Sequence, residues 1–335
     1  MSTIAFFETQ KDDQPFYEKQ LKEHHLLFSP EILDNKLAAD YQETEVLSIF
    51  IHSHINEEIL AMMPKLKLIA TRSAGFNHID IEATQKQKLG VCYVPTYGEY
   101  TVAEHTFALI LALSRNVHKA YFRTLQEDFS LTGLQGFDLK GKTIGVVGSG
   151  RIGLHVIKIA RGFDMTVLAV DPSPDPFLAE VLQFRYAPLA EVLAQSDIIT
   201  LHAPLNKKTF HLLNRDNILT IKKGAILINT ARGELIDTEA LLYALAEGHI
   251  AGAGLDVLEG EELFVEEEKL FDPQTSSETK SVFHKSQDLL DREDVVITPH
   301  IAFNSYEAVQ RIRQTTVENI VAYLAGQPKN IVKPD

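Results

Sequence analysis

An arginine, a set of acids and a histidine each stand just beyond an apolar run in the second half of this sequence. Ile228-Asn229-Thr230-Ala231-Arg232-Gly233 puts a guanidinium past one run. Leu255-Asp256-Val257-Leu258-Glu259-Gly260-Glu261 puts carboxylates past the next, and Ile297-Thr298-Pro299-His300 puts an imidazole past the last. If the runs are neighbouring parallel strands, these groups converge beyond the carboxyl ends of the sheet, where doubly wound folds bind ligands. Together they offer a fixed cation for a carboxylate or polarised carbonyl, a proton donor and acceptor near neutral pH, and a carboxylate to orient it. Taken singly, each has an ordinary reading as an ion pair, a helix cap or a structural histidine. His24, His25, His52, His54 and His118 are read as structural; it is joint placement that singles out the other three segments.

A second constellation lies upstream. The β-branched run Thr143–Val147 leads into Gly148-Ser149-Gly150-Arg151-Ile152-Gly153, and a further run, Met165–Val170, ends in Asp171. A strand, a G-x-G-x-x-G turn, a helix and an acid after the next strand make up a dinucleotide-binding βαβ unit. Gly148 allows the tight turn, Gly150 a close approach of backbone to pyrophosphate, and Gly153 tight packing of helix on strand. The helix N-terminus faces the phosphates. Asp171, 18 residues past Gly153, suits a ribose diol and repels a 2′-phosphate, which favours NAD over NADP. The motif begins at residue 148 of 335, far from the N-terminus.

These groups need a scaffold, and 335 residues suffice for two domains. A hydrophobic content of 45% with 23% charged residues is that of an ordinary globular protein. The net charge of −14 argues against a nucleic-acid surface while leaving room for small anions in a locally basic site. Residues 1–8 read as a first strand and not as a signal peptide, and no apolar segment reaches the length of a membrane span. The single cysteine, Cys92, reads as a small buried hydrophobe and fits a reducing, cytoplasmic setting. No Cys/His cluster has metal-ligand spacing, so no metal is expected.

Strand-like and helix-like segments alternate throughout, which predicts an α/β architecture with parallel sheets. The first set of strands is Thr3–Phe7, Leu26–Phe28, Val46–Ile49, Leu68–Arg72 and Val91–Val94. The second is Thr143–Val147, Thr166–Val170, Ile198–Leu201, Ala225–Asn229, Ala253–Asp256 and Val295–Thr298, six strands for a doubly wound sheet. Between the sets, Thr101–Phe122 reads as one helix that is apolar nearly all round and must therefore be buried on every side; packing against another subunit is one way, and a dimer is expected. Residues 261–294, with Glu266-Glu267-Glu268 and the polar run Gln274–Lys280, read as a solvated surface excursion, with a mobile flap or an oligomer contact as the alternative.

The motifs in this order resemble the D-isomer-specific 2-hydroxyacid dehydrogenases, and among them the NAD-dependent D-lactate dehydrogenases. Further matches are Thr71-Arg72-Ser73-Ala74-Gly75-Phe76-Asn77-His78-Ile79-Asp80 and Val102-Ala103-Glu104-His105, so the resemblance covers nearly the whole chain. It implies two doubly wound parallel-sheet domains, a Rossmann-type NAD domain (102–300) inserted into a flavodoxin-like substrate domain (1–101 with 301–335). That insertion explains the mid-chain glycine motif and puts the active site in the cleft between domains. It further implies reduction of a 2-keto acid. Arg232 holds the carboxylate and polarises the C2 carbonyl, and His300 gives the proton. Glu261 holds the other ring nitrogen and stabilises the protonated ring. Backbone N–H groups of Ser73, Ala74 and Gly75 bind the substrate carboxylate. Arg151, Ile152, Ala203, Pro204, Thr209, Thr230 and Ala231 join the glycines and Asp171 around NAD, and Asp256 contacts the nicotinamide carboxamide or tunes the site. Tyr97 and Phe303 match positions that bound a small side-chain pocket, which favours pyruvate and D-lactate. Larger 2-keto acids such as phenylpyruvate or 2-ketoisocaproate, and glyoxylate or hydroxypyruvate, are the alternatives. Glu261 disfavours formate, and the lack of an added basic cluster disfavours phosphoglycerate. An NAD-sensing corepressor-like binding protein is the alternative from another class.

Overall fold

The chain divides into two compact units, Met1–Tyr97 with Asn304–Asp335, and Gly98–Phe303. The computed structural model describes residues 1–265 and 276–333. In the first unit, β1 (Thr3–Phe6), β2 (His25–Phe28), β3 (Val46–Ile49), β4 (Leu68–Thr71) and β5 (Gly90–Cys92) form one sheet in the order β2-β1-β3-β4-β5, every pair parallel. Residues of β3 and β4 are buried on both faces, as parallel strands covered by helices must be. Ala5, Leu47, Ile49 and Ile69 pack with Ile59 and Leu60 of the Glu57–Met62 helix on one face. Ile4, Phe6, Val46, Leu68 and Ala70 pack with Tyr17, Val317 and Ile320 on the other. The last two lie on the closing helix, Tyr306–Leu324, so the end of the chain completes the sheet that its beginning builds.

Strand order reverses between β1 and β3, the switch point at which such folds offer a crevice. Here the chain fills it. Glu8, in the left-handed region at φ 54°, turns its carboxylate to the N–H groups of Phe50 (2.9 Å), His52 (3.0 Å) and Ser53 (3.2 Å) and to the Ser53 hydroxyl (2.6 Å). The buried Arg72 guanidinium donates to the carbonyls of Phe7 and Glu8 and to Ser48 Oγ. Each of these charged groups is buried or half-buried with several hydrogen-bond partners, the condition under which such burial is tolerable.

The second unit is a seven-stranded parallel sheet. Its strands are β6 (Thr143–Val147), β7 (Thr166–Val170), β8 (Arg185–Tyr186), β9 (Ile198–Leu201), β10 (Ala225–Asn229), β11 (Ile250–Leu255) and β12 (Val295–Ile297). Their order is β12-β11-β10-β9-β6-β7-β8. The two-residue β8 is one strand more than the sequence predicts, too short to show a period. The order reverses between β6 and β9. Arg232, Glu261 and His300 come after β10, β11 and β12, three consecutive strands on one side of that reversal.

The predicted Thr101–Phe122 helix is two helices, Glu99–Ser114 and Val117–Leu125. Asn116 stops the first by taking the left-handed conformation (φ 50°), which Asn tolerates better than most residues, and its side-chain amide donates to the carbonyls of Leu134 and Gln135. The apolar faces of the first helix are used up inside its own unit, against the Arg151–Gly162 helix and β10, β11 and β12. The second helix is a different case. Val117 (55%), Tyr121 (67%), Phe122 (63%) and Leu125 (65%) are exposed, as are Phe129 (77%) and Leu131 (85%) just after it.

The 261–294 excursion is also more structured than its polarity suggests. Ser276 caps a helix, Ser277–Leu290, by accepting from Thr279 N, and Phe283, Ser286 and Leu289 bury one face against the Thr238–Ala246 helix and β12. Glu266-Glu267-Glu268 and Gln274-Thr275 of the predicted polar runs lie outside the described residues. Among the described residues no helix is long and apolar enough to cross a membrane.

Candidate active site

The glycine motif sits at the β6–β9 reversal, and each glycine has a distinct geometric reason. Gly148 has φ 95°, and a Cβ there would lie 2.8 Å from the backbone of His202 at the end of β9. A Cβ on Gly153 would come within 2.0 Å of the Gly148 carbonyl oxygen, so the Arg151–Gly162 helix can lie on the turn only without one. Gly150 caps that helix, and none of the described residues lies within 4 Å of where its Cβ would be. Its bareness therefore meets no packing need among them and leaves open space at a helix N-terminus, as a pyrophosphate requires. Arg151 begins the helix, with Nη1 3.5 Å from Glu99 Oε1.

Asp171 comes directly after β7 and is already positioned. Its Oδ2 accepts from Ser149 N (2.8 Å) and Ser149 Oγ (3.1 Å), its Oδ1 from Ser173 N (2.9 Å), and Ser149 Oγ also meets Tyr186 Oη at 2.9 Å. The residue between the first two glycines thus locks Asp171 to the glycine turn, and the short strand β8 brings a tyrosine to the same point. After β9, Ala203-Pro204 lead into a turn that Thr209 closes, donating to Pro204 O (2.6 Å) and accepting from Asn206 N (2.8 Å). The preceding His202 ring meets Thr200 Oγ1 at 2.9 Å, and burial pushes its pKa down to about 3, so it stays neutral. Ile152 lies in the first turn of the Arg151–Gly162 helix, packed on the core beneath it. The residues present fit a dinucleotide.

On the other side of the reversal three loops hold Arg232, Glu261 and His300, the candidate acid–base group. His300 Nδ1 lies 2.7 Å from Glu261 Oε1, while Glu261 Oε2 accepts from Leu258 N at 3.1 Å. A carboxylate has no proton to give, so Nδ1–H is the donor and the ring's orientation is set. His300 itself has φ 52°, an uncommon conformation for a non-glycine residue, fixed by its N–H bonding to the carbonyls of Asp256 and Thr298, both at 2.9 Å. Asp256, 1% exposed, commits its carboxylate to the same loop: Oδ1 takes Thr298 Oγ1 (2.5 Å) and Ile301 N (2.9 Å), and Oδ2 takes Ala302 N (2.8 Å). Burial works to raise its pKa, but the bonds from His105, Thr298, Ala302 and Ile301 outweigh it and hold the group below the ordinary aspartate value. Both Asp256 oxygens are thus engaged by the loop that carries His300.

Arg232 ends the β10 turn. Asn229, 1% exposed, accepts from Ala231 N (3.0 Å) and donates to Arg232 O (2.8 Å), which closes the turn around Thr230 and Ala231. The half-buried guanidinium donates to Ala231 O at 2.6 Å, and no acid among the described residues pairs with it. Gly233 comes next, at a backbone crossing where a Cβ would lie 2.1 Å from the carbonyl carbon of Leu258, so the arginine and Glu261 loops abut directly.

In the first unit, the loop after β4 is held by side chains. Ser73 Oγ donates to Gly75 O (2.6 Å) and meets Thr71 Oγ1 (2.6 Å), which in turn meets His78 Nε2 (3.2 Å). Among the described residues no backbone acceptor takes the N–H of Ser73, Ala74 or Gly75. Tyr97 stands at the end of the unit's first segment, its carbonyl taking Arg311 Nε at 2.7 Å. Phe303 is the last residue of the second unit's span, half-buried just past the Asp256-bound stretch. Sequence reasoning passed over Ser149, Tyr186, Asn229, Thr298 and the pair His105-Thr106. The last of these had a signal, a polar step with Glu104 directly before the long apolar run 107–113.

Residues 107–302 match the model of the D-isomer specific 2-hydroxyacid dehydrogenase NAD-binding domain. Over 98% of its length the chain is 38% identical to 99% of 2-hydroxyacid dehydrogenase homolog 1 of Schizosaccharomyces pombe. Over 95% it is 37% identical to 95% of the D-lactate dehydrogenase of Escherichia coli. Among solved structures it is similar to the D-lactate dehydrogenase of Aquifex aeolicus in complex with NAD and lactic acid. The TM-score is 0.88 at 35% identity, over 99% of this chain and 100% of that one.

Proposed function

The chain belongs to the D-isomer-specific 2-hydroxyacid dehydrogenase family, and from that premise we propose that it reduces pyruvate to D-lactate, with Arg232, Glu261 and His300 as its catalytic residues. It is an NAD-dependent enzyme of 2-keto acid reduction; the substrate, the residue roles and the assembly are the proposal. The observation that carries it is the 2.7 Å bond between His300 Nδ1 and Glu261 Oε1, which makes Nε2 the nitrogen available to a substrate oxygen.

The bound cofactor supplies the hydride; everything else is done by side chains and backbone. Gly148, Gly150, Gly153, Arg151 and Ile152 hold its phosphates, Asp171 its ribose, and Ala203, Pro204, Thr209, Thr230 and Ala231 line its path. Arg232 grips the keto-acid carboxylate and draws electron density from the C2 carbonyl, a task for which a planar fork with permanent charge is suited. The N–H groups of Ser73, Ala74 and Gly75 hold the same carboxylate. His300 Nε2 passes its proton to the carbonyl oxygen as negative charge gathers there, and takes one from the hydroxyl in the reverse direction. Glu261 keeps the ring in the productive orientation and offsets the charge of the imidazolium, the part an acid plays beside a histidine in other folds.

Tyr97 and Phe303 support pyruvate, since two aromatic rings beside C3 leave space for a methyl group and little more. With NADH, kcat/KM for pyruvate should exceed that for phenylpyruvate, 2-ketoisocaproate, glyoxylate and hydroxypyruvate by about tenfold or more, the lower range of what one or two carbons are worth in an apolar pocket. NADPH should serve poorly, because Asp171 would face its 2′-phosphate. A steady-state panel decides: a larger or smaller keto acid used equally well removes pyruvate from the proposal.

The proposal includes a homodimer joined through the exposed stripe of Val117, Tyr121, Phe122 and Leu125 with Phe129 and Leu131. Exposed large apolar residues this closely spaced along the chain support an association site, and the helix repeats them on one face at positions 117, 121 and 125. The ground for dimerisation is thus this helix, and not the Glu99–Ser114 helix that the sequence pattern suggested. Phe122→Glu with Leu125→Glu should weaken self-association by at least about a hundredfold, as loss of two anchors of ~1.4 kcal/mol or more each implies. Sedimentation equilibrium reads the result, and a variant that keeps the wild-type mass moves the interface elsewhere.

A further inference from the structure

One turn of the Glu99–Ser114 helix touches two of the three catalytic loops. His105 Nε2 lies 3.0 Å from Thr298 Oγ1 and 3.4 Å from Asp256 Oδ1, and Thr106 Oγ1 lies 3.1 Å from Thr230 Oγ1. Thr298 is two residues before His300 and Thr230 two residues before Arg232. Adjacent residues on a helix point about 100° apart, so each serves its own loop.

The direction of every hydrogen bond is set by the partners. Asp256 accepts only, so Thr298 donates its hydroxyl proton to Oδ1 at 2.5 Å. The Thr298 oxygen is then left to accept, and His105 must present Nε2–H to it, with Asp256 Oδ1 as a longer second acceptor. Thr106 donates its own proton to Val102 O at 2.8 Å inside the helix, so Thr230 donates to Thr106. Thr106 is fully buried and Thr230 is 8% exposed, so water does not compete for their bond; the His105–Thr298 bond is half-buried, beside Asp256 at 1% exposed. Each is also a contact that packing alone would not need, since an apolar residue of equal shape would fill the same space.

We propose that His105 and Thr106 are positioning residues that fasten the His300 and Arg232 loops to one rigid helix and so set the spacing of proton donor and carboxylate clamp. The inference rests on the assignment of Arg232 and His300 given above. A misplacement of about 1 Å in a reacting group costs up to a hundredfold in rate, so loosening either loop has a measurable effect.

The test pairs a silent replacement with a conservative one at each site. Thr106→Val keeps the shape and removes the acceptor; it should raise the KM for pyruvate and lower kcat/KM about tenfold, because it frees the arginine side. His105→Leu should lower kcat about tenfold with KM within twofold, because it frees the proton donor. In both variants the NADH dissociation constant, read by fluorescence, should stay within twofold of wild type, and 4-deuterated NADH should show a larger isotope effect. Thr106→Ser and His105→Gln, which restore an acceptor and a donor, should recover most of the loss. Wild-type kinetics in Thr106→Val and His105→Leu overturns the inference. So does a loss that comes with equally weakened NADH binding and no rescue, since that is a merely structural role. Arg232→Gln and His300→Ala are assayed beside them. If those two are unimpaired, the assignment of the site has failed; if they are impaired and the helix variants are not, this inference alone has failed.

Discussion

Replacing His300 by alanine should lower kcat for pyruvate reduction by at least about a hundredfold while leaving the NADH dissociation constant within twofold of wild type. The lower bound is the smaller end of what a positioned general acid contributes, and it corresponds to about 2.7 kcal/mol of transition-state stabilisation. Cofactor affinity should survive, because the groups assigned to the dinucleotide lie on the loops after β6, β7, β9 and β10, and the His300 loop is fastened independently through Asp256 to Ile301, Ala302 and Thr298. A variant that binds no NADH makes His300 structural, and one that keeps the wild-type kcat assigns the proton to another group.

Arg232→Gln should cost more, about a thousandfold in kcat/KM, with the loss shared between a higher KM and a lower kcat. Removing one member of a desolvated charge pair leaves the other unpaired, at about 3–5 kcal/mol, and each tenfold in rate is about 1.4 kcal/mol. The split matters: a carboxylate clamp alone would act on KM, whereas polarisation of the carbonyl acts on kcat. Arg232→Lys should recover only part, since a point charge lacks the planar fork. Asn229 keeps its two bonds to the Ala231–Arg232 turn in either variant, so the loop stays closed and a folding defect is not the expected outcome. An Arg232→Gln enzyme with unchanged kcat would limit Arg232 to binding.

The parts of this site that were readable in the sequence are those encoded locally. Gly148, Gly150 and Gly153 stand at fixed spacing because one turn and one helix N-terminus impose it, and Asp171 lies beyond them by the length of a helix and a strand. Arg232, Glu261 and His300 were readable because each comes just after an apolar run, and parallel strands deliver the residues at their carboxyl ends to one edge. The contacts that join these groups were not readable. Thr106 and Thr230 are 124 residues apart, His105 and Thr298 193, and nothing in a threonine's surroundings announces a partner at such a distance. The break at Asn116 was hidden because apolar residues continue across it, and periodicity cannot show that one helix buries them while the next exposes them. β8 was too short for a pattern, and the Ser277–Leu290 helix buries only a thin stripe, Phe283, Ser286 and Leu289, in an otherwise polar run.

The carboxylate of Glu8, held by three backbone N–H groups and a serine hydroxyl at the β1–β3 reversal, bears on how a substrate anion chooses its place. Such a ring of donors would suit any carboxylate, including that of a keto acid. Glu8 is tethered to it, so its effective concentration there far exceeds that of a dissolved metabolite, and the ring behaves as a saturated receptor. A free carboxylate that reaches the first unit therefore meets a crevice already occupied, whereas the N–H groups of Ser73–Gly75, the ones proposed for the substrate, are taken by no backbone acceptor among the described residues.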